Sequence, residues 1–454
     1  MKNTFDYAQW FEENESQIQK DFFTFLRFSS ISTEPKFAKD VQACANWLKS
    51  YLEEIGMEVS LWEGKGHPIV FAKSKHIEGA PTVLLYHHYD VQPVDPLDLW
   101  DSNPFEPEMH DGKVYARGAS DNKGQCFYSI TAIKSYLQAG GKCNIKLLIE
   151  GEEEGGSKAL GQFIPEKKDE LQCDHVLIVD INTPGPGIPA VTLGMRGIVA
   201  LTVECVGANF DLHSGDHGGI AYNPNRALAE VIAKLWDEEG RIAIPGFYDD
   251  LENLSEKDMA AIDFSFDEEK YRKNFGVRKL MHVEGDSPLQ ANWLRPAIEI
   301  NGISGGYGGE GFKTIIPAKA TAKISCRLPP GLKPDKVKRQ LVEFLQSHVA
   351  QGLEIHVVSR GGGAGYCTSV SNPTVQLVAK AYEKVFDKTC LFVMTGGSIP
   401  ITTALANATG KEPILMGTSL TTDQIHAPNE HFGWDCFAQG FAVITNTFLL
   451  IEYE

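Results

Sequence analysis

Three short apolar runs in the first two hundred residues end on side chains that bind protons or metals. TVLLYHH (82–88) ends on two histidines, NIKLLIE (144–150) runs into EGEEEGGS (150–157), and HVLIVDI (175–181) carries Asp180 near its close. Each run is short, continuous and apolar, as a strand buried on both faces must be, and a helical pattern such as QCFYSITAIKSYL (125–137) stands between them. This alternation predicts βαβ units and an α/β fold whose central sheet is mostly parallel and flanked by helices. It also fixes an address for chemistry. The carboxyl ends of neighbouring parallel strands open into one crevice, and such sheets bind ligands there. His88, Asp90, the three glutamates and Asp180 are expected to converge on it.

Further strands are expected at PIVFAKS (68–74) and EPILMGT (412–418), and amphipathic helices at 7–28 and 38–56, the second closing on Gly56. Between Met195 and Gly365 the pattern changes. GIVALTVECVG, KATAKISCRLP and LEIHVVSR read as half-buried strands, with helices at NPNRALAEVIAKLWDEEG and PDKVKRQLVEFLQSHV and a long insertion at 245–312. That order resembles a split βαβ sandwich. A chain of 454 residues also exceeds what one core accommodates, since single cores stop growing near roughly 250 to 300 residues. The expected organisation is a catalytic domain built from 1–194 and 366–454, interrupted by an inserted α+β, ferredoxin-like domain at 195–365.

Composition narrows the function. A formal charge of −18 repels nucleic acid and anionic membrane surfaces and favours cations. The nine cysteines are scattered, with no CxxC pair, so neither a disulfide framework nor a cysteine zinc site is expected. The N-terminal stretch is too acidic for a secretory signal and no run of eighteen apolar residues occurs, so the expected setting is a soluble protein of the reducing cytoplasm.

Taken singly, each candidate has an ordinary explanation. Asp180 suits a helix cap or loop, the Glu triplet a solvated turn, and the histidine pair one buried and one exposed residue of an edge strand. Asp121 and Asn122, in the glycine-flanked loop GASDNKG before a helix, suit capping. Their coincidence at one crevice is harder to dismiss, and His426 in TSLTTDQIHAPNE (418–430) adds an imidazole just beyond the strand EPILMGT. Imidazoles with hard oxygen donors suit zinc, with manganese or cobalt as alternatives. Two histidines and three carboxylates exceed what one zinc needs and match two ions about 3.5 to 4 Å apart.

HHYDVQP, GASDNKGQ, EGEEEGGS, the strand-end Asp, DLHSGDHGG, GGSIP and IHAPNE, in this order, resemble the dinuclear zinc peptidase family that includes carnosinase, cytosolic non-specific dipeptidase and aminoacylase. The likeness spans nearly the whole chain. It implies His88, Asp121, Glu154, Asp180 and His426 as metal ligands, Asp121 bridging the ions, and Asp90 orienting the imidazole of His88. It implies Glu153 as the general base, a choice among the three glutamates that strand alternation does not make. It implies that His213 stabilises the developing oxyanion from a lid and dimerisation domain, reaching the partner subunit's site in related dimers. Thr314, Arg327 and Ser398 fall where the family holds the substrate, the first two gripping its free carboxylate.

The function so implied is hydrolysis of dipeptides or small peptides with a free C-terminal carboxylate by a homodimer. Asp180, where other branches of the family often carry Glu, points to the dipeptidase branch. The alternatives are an N-acyl amino acid deacylase with the same metal centre and a non-catalytic binding protein, whose mark would be a broken ligand set. RGGGAGYCTSVSNP lacks a histidine that some dipeptidases carry there, which leaves the preferred substrate open.

Overall fold

The computed structural model describes residues 5–282 and 285–453. The chain forms a nine-stranded mixed sheet and a separate four-stranded antiparallel sheet. At the centre of the large sheet Asn144–Glu150, Thr82–His88, His175–Val179 and Ile414–Met416 lie side by side and parallel. The flanks are different. Ile69–Lys73 pairs antiparallel with Asn144–Glu150, Glu58–Trp62 pairs antiparallel with Ile69–Lys73, and Ala190–Met195 opposes Ile414–Met416. The sheet is thus mixed, parallel at its centre and antiparallel on its flanks, where Glu58–Trp62 and Ile69–Lys73 form a short hairpin that needs no crossover helix.

Successive side chains of the central strands serve two cores. Val83 and Leu85 pack under Tyr7–Leu26, Ala38–Glu54, Lys123–Gln138, Pro373–Phe386 and Trp434–Glu452, whereas Leu84 and Tyr86 pack under Lys158–Glu166 and Thr402–Thr409. Burial on both faces is why these runs carry no polar alternation. Trp434–Glu452 is the one helix among the described residues with the length and composition of a membrane span, but more than half of that window is buried and its side chains fill the first core.

In the small sheet the strands lie in the order Ala297–Gly305, Lys319–Leu328, Gly197–Val206, Glu354–Gly363, with Pro224–Ala233 and Pro334–His348 packed on one face. Gly197–Val206 alternates buried and half-buried residues along its length, as a strand covered on one side should. The chain order strand, helix, strand, strand, helix, strand is ferredoxin-like. The second strand in chain order, Ala297–Gly305, lies within the stretch expected to be an insertion; it is a largely exposed edge strand whose glycines hide its period. The short helices Glu256–Ala261 and Pro288–Leu294 flank a stretch that returns to the large sheet, where Ile262 and Trp293 enter the first core.

Candidate metal centre

The parallel strands end in a row, and the residues at their carboxyl ends face one another. Thr82–His88 delivers His88, and Asp180 follows His175–Val179 directly. Asp121 arrives from the loop before Lys123–Gln138, across a cis Asp121–Asn122 peptide, and His426 from the loop after Ser419–Leu420. The Nε2 of His88 is 3.0 Å from one oxygen of Asp121, and the Nε2 of His426 is 2.9 Å from the other. Each imidazole has a second carboxylate: Asp180 at 3.8 Å from His88 and Glu154 at 3.2 Å from His426. The result is two groups of three donors, His88–Asp121–Asp180 and Asp121–Glu154–His426, with the donor atoms of each group within 4.8 Å of one another and Asp121 common to both.

Electrostatics make this arrangement unfavourable without cations. Burial, then its acidic neighbours, lifts the pKa of Asp180 to about 7 despite the field of His88. Burial with Glu154, Asp180 and Asp121 raises Glu153 well above the carboxylate range, and burial with Asp121 raises Glu154. Burial opposes charge on His88, yet Asp180 and the contacts to Asp121 and Asp90 push its pKa well up. His426, against its own desolvation, is carried to about 11 by Asp121 and Glu154. Asp121 is held below the usual range by the two imidazoles, against the effect of its burial. A divalent cation reverses this logic, favouring ionised carboxylates and neutral imidazoles. The donor set therefore fits divalent metal.

Asp90 touches more than one ring. The Nδ1 of His88 lies 3.0 Å from the main-chain carbonyl of Asp90 and 3.4 Å from its carboxylate. That carboxylate accepts the N–H of Glu153 and of Glu154, both at 3.1 Å, and the hydroxyl of Ser32 at 2.6 Å. The fully buried Asp90 thus ties the glutamate turn to the strand end that carries His88. Within the turn the three glutamates separate. Glu152 faces away, its carboxylate accepting the N–H of Ala159 at 3.0 Å, whereas Glu153 feels the charges of His88, Asp121, Glu154 and Asp180.

Both histidines of the strand are fully buried, on a central rather than an edge strand. His87 is kept neutral by burial, its pKa lowered to about 3, and its Nδ1 meets the side-chain oxygen of Asn122 at 3.0 Å. Asn122 does not cap the following helix through its side chain; its amide donates to the Val179 carbonyl and to Asp180, both at 2.8 Å. The sequence reading assigned it no such role, and only the proximity of GASDNKG to the strand ends hinted at it.

The remaining candidates form two pairs. Arg327 Nη1 donates to Ser398 Oγ at 2.9 Å, and that hydroxyl donates to the Arg196 carbonyl at 2.6 Å. Burial lowers the Arg327 pKa, and no acid among the described residues forms an ion pair with it. His213 and Thr314 meet elsewhere: Leu212–His213 pairs with Ile315–Ile316, and the Thr314 carbonyl accepts the N–H of Ser214 at 3.0 Å. The His213 side chain is 61% exposed, turned to solvent rather than to the two donor groups of its own chain.

A cluster of imidazoles and carboxylates at the strand ends of an α/β sheet, largely buried except at His426, fits the site of a metallohydrolase. The model of peptidase family M20/M25/M40 matches residues 84–449, and the chain belongs to that family. It is similar to the Beta-Ala-His dipeptidase of Rattus norvegicus, with 31% identity over 390 residues covering 84% of this chain and 79% of that protein. The Cys-Gly metallodipeptidase dug1 of Schizosaccharomyces pombe is 30% identical over 82% of this chain and 80% of its own. Among solved structures, the M20 family metallo-carboxypeptidase Sso-CP2 of Sulfolobus solfataricus superposes with a TM-score of 0.88 at 30% identity, covering 99% of this chain and 100% of that one.

The separation of the glutamates yields a test. Glu152→Ala removes an acceptor from the first turn of Lys158–Glu166 and should cost about 1 kcal/mol in a denaturant titration, the usual size for a lost helix-start acceptor, with bound metal unchanged. Loss of metal from Glu152→Ala would contradict this placement.

Proposed function

We propose that the chain is a dinuclear metallodipeptidase, with zinc as the resident metal and manganese or cobalt as functional substitutes. The observation that carries this reading is Asp121, whose two oxygens face two imidazoles drawn from opposite ends of the chain, each imidazole with a carboxylate of its own. His88, Asp121 and Asp180 would hold one ion and Asp121, Glu154 and His426 the other. The named activities of the Beta-Ala-His and Cys-Gly relatives support dipeptides as the substrate class.

When bound, the ions supply a Lewis acid for the scissile carbonyl and an easily ionised water. Glu153, held at the crevice by the Asp90 bond to its N–H, would take a proton from the attacking water as its oxygen adds to the carbonyl carbon, and return that proton to the leaving nitrogen as the C–N bond breaks. Arg327, a desolvated guanidinium with no acidic partner among the described residues and braced by Ser398, receives the substrate's terminal carboxylate. His213 donates to the carbonyl oxygen as charge develops there, and Thr314 beside it adds to the carboxylate grip.

His213 and Thr314 are exposed and adjacent, which favours their serving the site of a second copy. Exposed apolar side chains on the small sheet and its loops, Phe210, Ile220, Ile303, Tyr307 and Phe312, favour a homodimer formed through that region. The nine free cysteines, eight of them buried, suit a cytoplasmic setting.

Two experiments test this reading. Removing metal with a chelator should abolish hydrolysis of a dipeptide panel, zinc, manganese or cobalt should restore it, and acetylated amino acids should be poor substrates. Full activity after metal removal would contradict the proposal, and faster turnover of the acetylated amino acids would assign a deacylase instead. In the second, Glu153→Ala and His213→Ala subunits, each inactive alone, are mixed under confirmed subunit exchange. One composite site of each heterodimer then has both residues, so activity should return; confirmed heterodimers without activity would place His213 outside the partner's site.

A further inference from the structure

Glu430 lies four residues beyond His426, its side chain only 1% exposed, yet it reaches none of the metal-facing atoms. Its carboxylate is spent on the loop that carries Asp121. One oxygen accepts the N–H groups of Ser120 and Asp121, each at 3.0 Å. The other accepts the N–H of Gly118 at 2.9 Å and the Arg117 guanidinium at 2.8 Å. Four donors on one buried carboxylate leave it fully satisfied, the condition under which a buried charge is tolerated.

The clamp is reinforced on both sides. The Glu430 carbonyl accepts the Ala116 N–H at 3.1 Å, while buried Asp423 accepts the Ser120 hydroxyl at 3.0 Å and the Leu420 N–H at 2.8 Å. Both loops adopt backbone shapes that do not hold themselves. Gln424, His426 and Asn429 sit at φ +56°, +63° and +62°, a region that side chains disfavour. Gly118 has φ +81°, and a Cβ there would lie 2.5 Å from Val91 Cγ1. His88 and Asp180, by contrast, stand at the ends of paired strands.

We propose that Glu430 is a positioning residue of the metal centre: by binding the main chain of residues 118–121 from the loop that bears His426, it sets the separation of Asp121 and His426, and hence the affinity for the ion they share. The proposal rests on the dinuclear reading. Glutamine at this position has nearly the same shape but offers one acceptor oxygen, so its amide group must face donors in either orientation.

The test is an equilibrium zinc titration of the full-length protein. Wild type should bind in two steps, and Glu430→Gln should weaken one step about 10- to 100-fold, the usual effect of losing a partner behind a metal ligand. Excess zinc should then restore the turnover rate at unchanged KM. Asp258→Asn serves as the control, because Asp258 is a buried acid that accepts the Val370 N–H at 2.8 Å and the Ser369 hydroxyl at 2.9 Å away from the crevice. It should lower the melting temperature and leave both zinc steps unchanged. If Glu430→Gln does not fold, Glu430→Asp keeps the charge but retracts the acceptors, and should weaken the same step. Folded Glu430→Gln or Glu430→Asp with wild-type zinc steps would overturn the proposal, as would loss of zinc in proportion to stability in Asp258→Asn as well. A wild-type titration with a single step would instead overturn the dinuclear reading beneath it.

Discussion

Negative charge held out of water is the constraint around which this chain is arranged. Asp121, Glu153, Glu154 and Asp180 crowd one crevice, and burial with mutual repulsion pushes all but Asp121 toward the neutral acid. Protein-borne imidazoles compensate only in part. Bringing such groups together costs stability, a cost that divalent cations among them would offset. The folded framework bears this cost in advance, because the strands that deliver His88 and Asp180 are buried on both faces by large apolar cores.

Around the donor atoms runs a shell of main-chain hydrogen bonds to buried carboxylates. Asp90 grips the N–H groups of Glu153 and Glu154, and Glu430 grips those of Gly118, Ser120 and Asp121. The two acids do the same physical work in different loops. Fixing the backbone restricts the side chains that project from it, so the carboxylate oxygens of Asp121, Glu153 and Glu154 are held at the crevice by their own main chain. The small antiparallel sheet stands apart from this shell, with its own core and with His213 and Thr314 on its exposed periphery.

Much of this architecture was legible in the sequence because burial on both faces writes itself as continuous apolar runs. Thr82–His88, Asn144–Glu150 and His175–Val179 were visible for that reason, and so were the polar residues at their ends. Ala297–Gly305 was not, since an exposed edge strand with two glycines and a register shift after Ile300 has its apolar period broken. Strand direction was equally hidden: nothing in PIVFAKS distinguishes an antiparallel flank from a parallel neighbour. The turn at 152–154 marks another limit. Its three identical side chains differ only in what surrounds them, Ala159 N–H for Glu152 and the acid–imidazole cluster for Glu153, and those surroundings come from tertiary contacts. Asn122 was read as a helix cap and Glu430 went unassigned, because a polar residue in a loop looks solvated until the fold buries it.

Anomalous diffraction from zinc-loaded crystals, recorded on both sides of the zinc absorption edge, tests the shared role of Asp121 most directly. Two peaks per chain are predicted, about 3.5 to 4 Å apart, one between His88 and Asp180 and one between Glu154 and His426, with one oxygen of Asp121 on each. A single peak, or two peaks with Asp121 touching only one, would contradict it.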